Sequence, residues 1–402
     1  MNILFLSLSR FDDVSARGIY SDLMREFINR GNEVYIASPT ERRFGKPTHL
    51  IESPHCHILK IKTLNIQKTN IIEKGIGTLL LESQFDRAIR RTWPDVHFDL
   101  ILYSTPPITF NKVIERNRRR CGARTYLMLK DIFPQNAVDL GMMKKGSLLY
   151  KLFRNKERKL YAISDRIGCM SPANCRYVIE HNPEVDPAKV ELCPNAVMPV
   201  EIPEITDVQR TDILKKHGIP ADKTIYVYGG NLGKPQGIGF LMDVVEANEQ
   251  QPDTHIVIVG SGTEYPKIAD RFDATQPKNA TLLSALPQQE YDKLVRACDV
   301  GLIFLDRRFT IPNFPSRLLS YLENSMPVLL ATDTNCDMGR IAETEGFGLW
   351  AESGDLDSFM ANMRRIASDP ALIENMGRKG NSFFLANYTT SCVADNIEIS
   401  IS

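Results

Sequence analysis

The sequence predicts an α/β protein of two doubly wound domains, and three observations carry that expectation. Short apolar runs suited to buried strands alternate with amphipathic helical stretches along most of the chain. Glycine-rich loops follow several of those strands, and the alternation breaks once, near residue 200, before it resumes. At 402 residues the chain is too long for one compact core. Its 43% hydrophobic and 24% charged residues are those of a globular protein in water.

The first series opens with a strand at 3–8, a helix at 16–30 closed by Gly31 and Asn32, and a strand at 34–37, which together imply a parallel βαβ unit. A helix at 76–91, strands at 100–103 and 125–129, a helix at 147–161, a strand at 166–170, a helix at 172–181 and a strand at 189–192 follow. From Met198 to Ile205 the chain carries Pro199 and Pro203 among acids with no sustained period, the pattern of a linker. One domain is therefore expected at 1–198 and the other at 199–385, with 386–402 reaching back to the first. The second series runs through a strand at 224–228, helix 238–250, strand 255–259, helix 264–272, strand 281–284, helix 288–297, strand 300–304, a helix within 312–326 and a strand at 328–331. Two further helices follow Gly354 and Pro370. Such sheets bind ligands beyond the carboxyl ends of their strands, so the site is expected in a cleft between the two domains, built from strand-to-helix loops of both.

Composition narrows the function classes. Zero formal net charge, with 49 basic and 49 acidic residues, argues against a dedicated nucleic-acid binder, although a cationic run between 112 and 159 suits an anionic partner. Eight scattered cysteines without CxxC spacing read as reduced thiols. In His55-Cys56-His57, alternation along a strand would let the two histidines share a site only without the cysteine. Asp355-Leu356-Asp357 follows Ser353-Gly354 at a helix start, where acids complement the dipole. No metal or cofactor is expected. The apolar N-terminal run is too short for a signal peptide and no span approaches membrane-crossing length, which points to the cytoplasm.

The candidate site residues sit in loops of the second series. At ~100° per residue, Ser316, Ser320 and Glu323 share one helix edge, while Leu318, Leu319 and Leu322 share the opposite one. The start of that helix offers backbone N–H groups, the Ser316 hydroxyl and the Arg317 guanidinium, a combination suited to phosphate; a capped surface helix with a solvated arginine fits the same residues. The run Tyr228-Gly229-Gly230-Asn231-Leu232-Gly233-Lys234-Pro235-Gln236-Gly237 has four glycines that would let backbone approach a ligand, yet matches neither GxGxxG nor the P-loop, and a plain turn stays open. Gly260 and Gly262 end the next strand in the same permissive way. In the first series, Leu148, Leu149, Leu152 and Phe153 line one side of a helix ringed by Lys151, Arg154, Lys156, Arg158 and Lys159, beside Lys144 and Lys145. This suits an interfacial helix on anionic lipid and equally a core-packed helix with a wet basic face.

These residues carry a resemblance. Gly230-Asn231-Leu232-Gly233-Lys234-Pro235-Gln236-Gly237, Val257-Ile258-Val259-Gly260-Ser261-Gly262, Ala297-Cys298-Asp299-Val300-Gly301-Leu302 and Phe314-Pro315-Ser316-Arg317-Leu318-Leu319-Ser320-Tyr321, in this order and spacing, resemble the retaining glycosyltransferases of family 4, with the two-Rossmann GT-B architecture. Gly18 with the helix to Gly31-Asn32-Glu33-Val34, Asp131-Ile132-Phe133-Pro134 and Cys193-Pro194-Asn195-Ala196-Val197 are similar to landmarks of the family's first domain. The resemblance implies an enzyme, and the residues above point to the cytoplasm, with the enzyme peripheral on the inner face of the plasma membrane if the helix at 147–161 docks on lipid. It would move a hexosyl or N-acetylhexosaminyl group from a nucleotide-sugar to a glycan or lipid-diphosphate-linked acceptor, in assembly of capsule, O-antigen or other surface polysaccharide.

On that reading Gly18, Gly230, Asn231, Lys234, Gln236, Gly260, Gly262, Ser316, Arg317, Ser320 and Glu323 meet the donor, and Asp131 with Lys130 orients or deprotonates the acceptor without metal. The chain also departs from the family. Two glutamates seven residues apart, one on the donor sugar and one on the ribose, are replaced by Pro312 and Ser320, and the usual Arg and Lys of the diphosphate loop by Asn231 and Gln236. Glu323, about 4.5 Å further along the helix axis than Ser320, is a candidate for the ribose. A nucleotide-sugar 2-epimerase of the same shape and a two-lobed, non-enzymatic small-molecule binding protein are the alternatives at this point.

Overall fold

The computed structural model describes residues 1–66 and 71–402. The chain forms two units, Met1–Met198 with Thr389–Ser402, and Pro199–Tyr388. In the first unit the elements are β1 (Asn2–Leu6), α1 (Ile19–Asn29), β2 (Glu33–Glu41), β3 (His49–Ser53), β4 (Cys56–Thr63), α2 (Ile71–Thr92), β5 (Leu100–Ser104), α3 (Asn111–Cys121), β6 (Arg124–Leu129), α4 (Gln135–Asp139), α5 (Leu148–Ile163), β7 (Arg166–Cys169), α6 (Pro172–His181) and β8 (Val190–Leu192). Its eight strands lie in the order β3-β4-β2-β1-β5-β6-β7-β8, parallel except for the β3/β4 hairpin. The order reverses between β1 and β5, so the loops after these two strands flank the crevice where such a sheet accepts ligands.

The second unit holds α7 (Asp207–Lys216), β9 (Thr224–Asn231), α8 (Ile238–Ala247), β10 (Thr254–Ser261), α9 (Tyr265–Thr275), β11 (Ala280–Ser284), α10 (Gln288–Ala297), β12 (Val300–Phe304), α11 (Arg317–Glu323), β13 (Val328–Thr332), α12 (Met338–Glu345), β14 (Gly348–Glu352), α13 (Leu356–Ala367) and α14 (Pro370–Asn387). All six strands are parallel, in the order β11-β10-β9-β12-β13-β14, with the reversal between β9 and β12. Both sheets are covered on their two faces. Runs such as Tyr226 to Tyr228 and Val300 to Phe304 are therefore buried throughout rather than on alternate residues.

The last helix, α15 (Thr390–Ile401), returns to the first unit. Val197 pairs with Thr389, and Arg30 at the end of α1 binds Glu26 at 2.8 Å, Asp395 at 2.7 Å and Glu398 at 2.8 Å. The crossing falls at Thr389, whose hydroxyl caps α15, rather than at 386, because α14 runs unbroken to Asn387. Other differences from the sequence expectation have local causes. The hairpin β3/β4 was absent from it because His49–Ser53 is too polar and exposed to read as a strand. The helix α3 was missed because four arginines mask its apolar face of Val113, Ile114 and Cys121. The helices α4, α7 and α12 and the strand β14 were missed as well. The helix anticipated within 312–326 is only Arg317–Glu323, and Pro315 lies before it.

Glycine decides how β9 and β10 end. They stay in register to Gly230 opposite Gly260 and Asn231 opposite Ser261, and a Cβ on Gly260 would stand 1.9 Å from the carbonyl oxygen of Gly230. Gly260→Ala must therefore push backbone aside. We expect it to destabilise the protein by about 1–3 kcal/mol, measured by urea denaturation, whereas Gly239→Ala, at an open position inside α8, is the contrasting control and should stabilise by about 0.5–1 kcal/mol.

Candidate functional site

The carboxyl edge of the second sheet gathers its polar groups at the β9/β12 reversal. After β9 the chain passes Gly230 at φ 114°, makes a turn at Lys234–Gln236, and enters α8 through Gly237 in the left-handed region. There a Cβ would lie 2.8 Å from the Leu305 carbonyl, and Asp306 N–H donates to the Pro235 carbonyl at 3.0 Å, so the β9 and β12 loops touch. Arg317 reaches back across this seam. Its guanidinium lies 4.1 Å from the centroid of the Tyr228 ring and donates through Nη2 to Gln236 Oε1 at 2.7 Å. Nη1 is buried without a hydrogen-bond partner among the described residues. Tyr228 Oη in turn donates to the Asn231 carbonyl at 2.9 Å; burial raises its pKa against the opposing pull of Arg317. Asn231, Lys234 and Ser316 are exposed beside this cation.

The residues expected from sequence divide into two groups here. Gly230, Asn231, Lys234, Gln236, Ser316 and Arg317 come together on one edge. Gly260 and Gly262 border the same edge, where they let backbones meet: a Cβ on Gly262 would stand 2.3 Å from the Leu232 carbonyl. Ser316 makes no side-chain cap, and with seven residues α11 is too short for its dipole to dominate. Ser320 is half-buried, one turn along α11 from Ser316, and its carbonyl accepts from Asn324. Glu323 departs from the expectation. It is 5% exposed and accepts the Val200 N–H at 3.2 Å, so its carboxylate is committed to the segment that enters this unit and does not stand with the Arg317 group.

In the first unit, Asp131 directly follows Lys130 after β6. Both its oxygens accept from Asn136 Nδ2 at 2.7 Å, and burial lifts its pKa to about 6 against that hydrogen bond. Thr105 Oγ1 accepts the N–H groups of Lys130 (3.0 Å) and Asp131 (3.1 Å) and donates to the Asp131 carbonyl, fixing the turn. Lys130 behaves otherwise than expected: Nζ donates to the carbonyls of Cys193 (2.9 Å) and Pro194 (3.1 Å), and burial lowers its pKa. It braces the chain after β8. Gly18 lines a cavity of about 570 Å³ in the loop after β1, but its N–H is held by Asp22 Oδ1 at 3.0 Å. Asp22, fully buried, also accepts from Arg25 and the Met198 N–H. His55 and His57 share Glu33, and His57 also bonds Glu52. Asp355 caps α13 through the Ser358 N–H.

Residues 209–383 match the family model described as "Glycosyl transferases group 1". The chain carries a group 1 glycosyltransferase domain. Two bacterial relatives align with most of the transferase. WbjE of Pseudomonas aeruginosa, named a probable glycosyltransferase, is 22% identical over 286 residues, 70% of this chain and 68% of WbjE. WcaI of Escherichia coli (strain K12), named for colanic acid biosynthesis, is 23% identical over 298 residues, 72% of this chain and 70% of WcaI. Among solved structures, sucrose-phosphate synthase from Thermosynechococcus elongatus superposes with a TM-score of 0.76 at 18% identity, covering 99% of this chain and 97% of the synthase. Anabaena HepE in complex with UDP-glucose gives 0.70 at 12% identity, covering 100% and 99%. The fold is GT-B, two parallel-sheet Rossmann-like domains.

Sequence reasoning passed over several residues that shape the Arg317 edge and the Asp131 turn. Tyr228 stood in the glycine-rich run yet reads as one more apolar strand residue; an aromatic ring directly before paired glycines was the available signal. Tyr321 Oη accepts the Gly229 N–H at 3.1 Å and donates to the Val227 carbonyl at 3.1 Å, and nothing in the pattern Leu-Ser-Tyr-Leu distinguishes it from core. Thr105 and Asn136 were silent for the same reason: their roles depend on loops brought together from distant positions. Arg317→Ala removes the stacked guanidinium. We expect it to weaken binding of a nucleoside diphosphate by about tenfold or more in calorimetric titrations with UDP and GDP, with an unchanged melting temperature.

Proposed function

We propose that this transferase moves a hexosyl or N-acetylhexosaminyl group, with retention of anomeric configuration, from a nucleotide-sugar to a lipid-linked glycan during assembly of a surface polysaccharide. The observation that carries the donor side is the Arg317 guanidinium. It is stacked on Tyr228 and bonded to Gln236, with one nitrogen unanswered, at the strand reversal where doubly wound sheets hold phosphorylated ligands. HepE, which shares the fold, is bound to UDP-glucose. When the bond from the anomeric carbon to the donor phosphate breaks, negative charge grows on the leaving diphosphate. A fixed guanidinium, the Lys234 ammonium and the backbone N–H groups at the start of α8 are suited to stabilise it without a metal ion.

On the acceptor side Asp131 takes the proton from the attacking hydroxyl. Burial supports that role, since a carboxyl with a pKa of about 6 is ionised at neutral pH yet more basic than a solvated one. Glu157, whose own pKa is raised by burial and by Asp131, adds to the local negative field.

Support for a lipid-linked acceptor comes from the start of α5. Met142, Leu148, Leu149 and Leu152 are 64%, 86%, 53% and 45% exposed. Lys144, Lys145 and Lys151 lie exposed among them with no ion pair among the described residues, whereas Arg154, Arg158 and Lys159 pair with Glu157, Glu184 and Glu115. Phe153 packs edge-on against Phe133 at 5.0 Å, two residues from Asp131. Among the described residues no helix is long and apolar enough to cross a membrane. An apolar patch ringed by unpaired lysines matches docking on an anionic bilayer.

The function is tested by incubating the protein with UDP- and GDP-sugars and lipid-diphosphate acceptors and following sugar incorporation. Incorporation is expected to persist in excess EDTA; complete loss reversed by added metal rules out the metal-independent route. In the same assay kcat/KM should fall as the pH drops through about 6, where Asp131 gains its proton, and Asp131→Asn should lower the rate about 100-fold or more and remove that acidic limb. Vesicle sedimentation checks the docking face. Wild type is expected to pellet with phosphatidylglycerol vesicles at low salt and to be released as salt rises, and Lys144→Glu with Lys145→Glu to stay in the supernatant; no pelleting of wild type refutes docking.

A further inference from the structure

The carboxyl edge of the second unit holds two more side chains that each keep a polar atom unanswered among the described residues. Asn313 lies in the loop between β12 and α11, and Asp333 directly follows β13. Cys336 joins them: its N–H donates to Asp333 Oδ1 at 3.0 Å and its thiol to the Asn313 carbonyl at 2.9 Å. Asp333 Oδ1 also accepts the Asn335 N–H at 2.9 Å, so one carboxylate oxygen is fully employed in the turn. Among the described residues, Oδ2 is buried without a partner in a residue only 2% exposed, and Asn313 Nδ2 is likewise buried and unpartnered. Another such atom on this edge is Nη1 of Arg317, four residues beyond Asn313.

Folded proteins answer nearly all buried polar groups internally or with water, so orphans on neighbouring loops bordering one ligand crevice mark where a ligand supplies the partners. Their chemistry differs from that of the Arg317 seam. A carboxylate repels phosphate, whereas an acceptor beside an amide donor complements the hydroxyl groups of a sugar ring, each of which both donates and accepts. The neighbouring acid in the same loop, Asp306, is already held by Arg308 at 2.7 Å and 2.9 Å. Position 312, directly before Asn313, is a proline and offers no side-chain hydrogen bond at all.

We propose that Asp333 and Asn313 are specificity-determining residues that bind the hydroxyl groups of the transferred sugar, Asp333 Oδ2 as acceptor and Asn313 Nδ2 as donor. This rests on the nucleotide-sugar reading above. The raised pKa of Asp333, about 6 through burial, leaves it ionised and able to accept at neutral pH.

The test compares a nucleotide-sugar with its bare nucleotide. Asp333→Asn keeps an oxygen for the Asn335 and Cys336 N–H groups, and Asn313→Ala removes an amide that holds nothing through Nδ2, so both variants should fold. Calorimetric titrations with UDP-glucose against UDP, and GDP-mannose against GDP, are run on wild type and variants. Each variant is expected to lose about tenfold or more in affinity for the nucleotide-sugar that wild type binds, while its affinity for the matching nucleoside diphosphate changes less than about twofold. Equal losses for sugar-bearing and bare nucleotide, or none for either, overturn the proposal and leave the parent reading standing. Wild type that binds no nucleotide in either pair overturns both.

Discussion

The contact on which the carboxyl edge of the second sheet depends is the approach of two backbones, Gly230 against Gly260. It lets β9 and β10 run side by side to their last residues, so the β9 loop lies low on the sheet instead of lifting into a helix at once. The turn at Lys234–Gln236 then meets the β12 loop, and the Arg317 guanidinium can sit over the Tyr228 ring across the join. A stacked guanidinium has fewer orientations to lose on binding than a solvated one, which turns an ordinary arginine into a directed cation.

The first unit uses burial instead of charge. Asp131 sits in a turn held by Thr105 and bonded to Asn136, with no cation paired to it, and its basicity follows from that. Lys130, its neighbour in sequence, is turned away toward the carbonyls of Cys193 and Pro194. A lysine placed near the carboxylate would pull its pKa down and weaken it as a base; one used as a brace leaves it basic. The adjacent α5 is divided in the same functional sense: its later cations are neutralised by glutamates, while its first turns keep leucines and lysines exposed to solvent.

Several parts of this arrangement were legible in the sequence. Alternation of apolar runs and helical stretches, with one proline-bearing break, is enough to specify two parallel-sheet units, because a strand buried on both faces must be apolar at every position. Helices α6 and α10 and strand β12 were readable to the residue, each bounded by proline, polar caps or charge. Elements whose buried face is narrow or masked by charge, such as α3 and β3, were not readable. Pairing across a sheet is a relation between distant residues, and local pattern does not contain it.

The sequence by itself determined the fold and the edge of each sheet on which chemistry would lie, because strand-to-helix loops of parallel sheets fall on one side whatever their composition. It also marked Arg317 and the Gly230 to Gln236 run as neighbours of that edge. Tertiary structure decided which groups are free to act: Glu323 is taken by Val200 and Lys130 by Cys193 and Pro194, whereas Arg317, Asp333 and Asn313 each keep a polar atom unanswered. The physical reason is that a side chain's availability is set by what it already bonds. Those partners lie up to 123 residues away, beyond the reach of any local pattern.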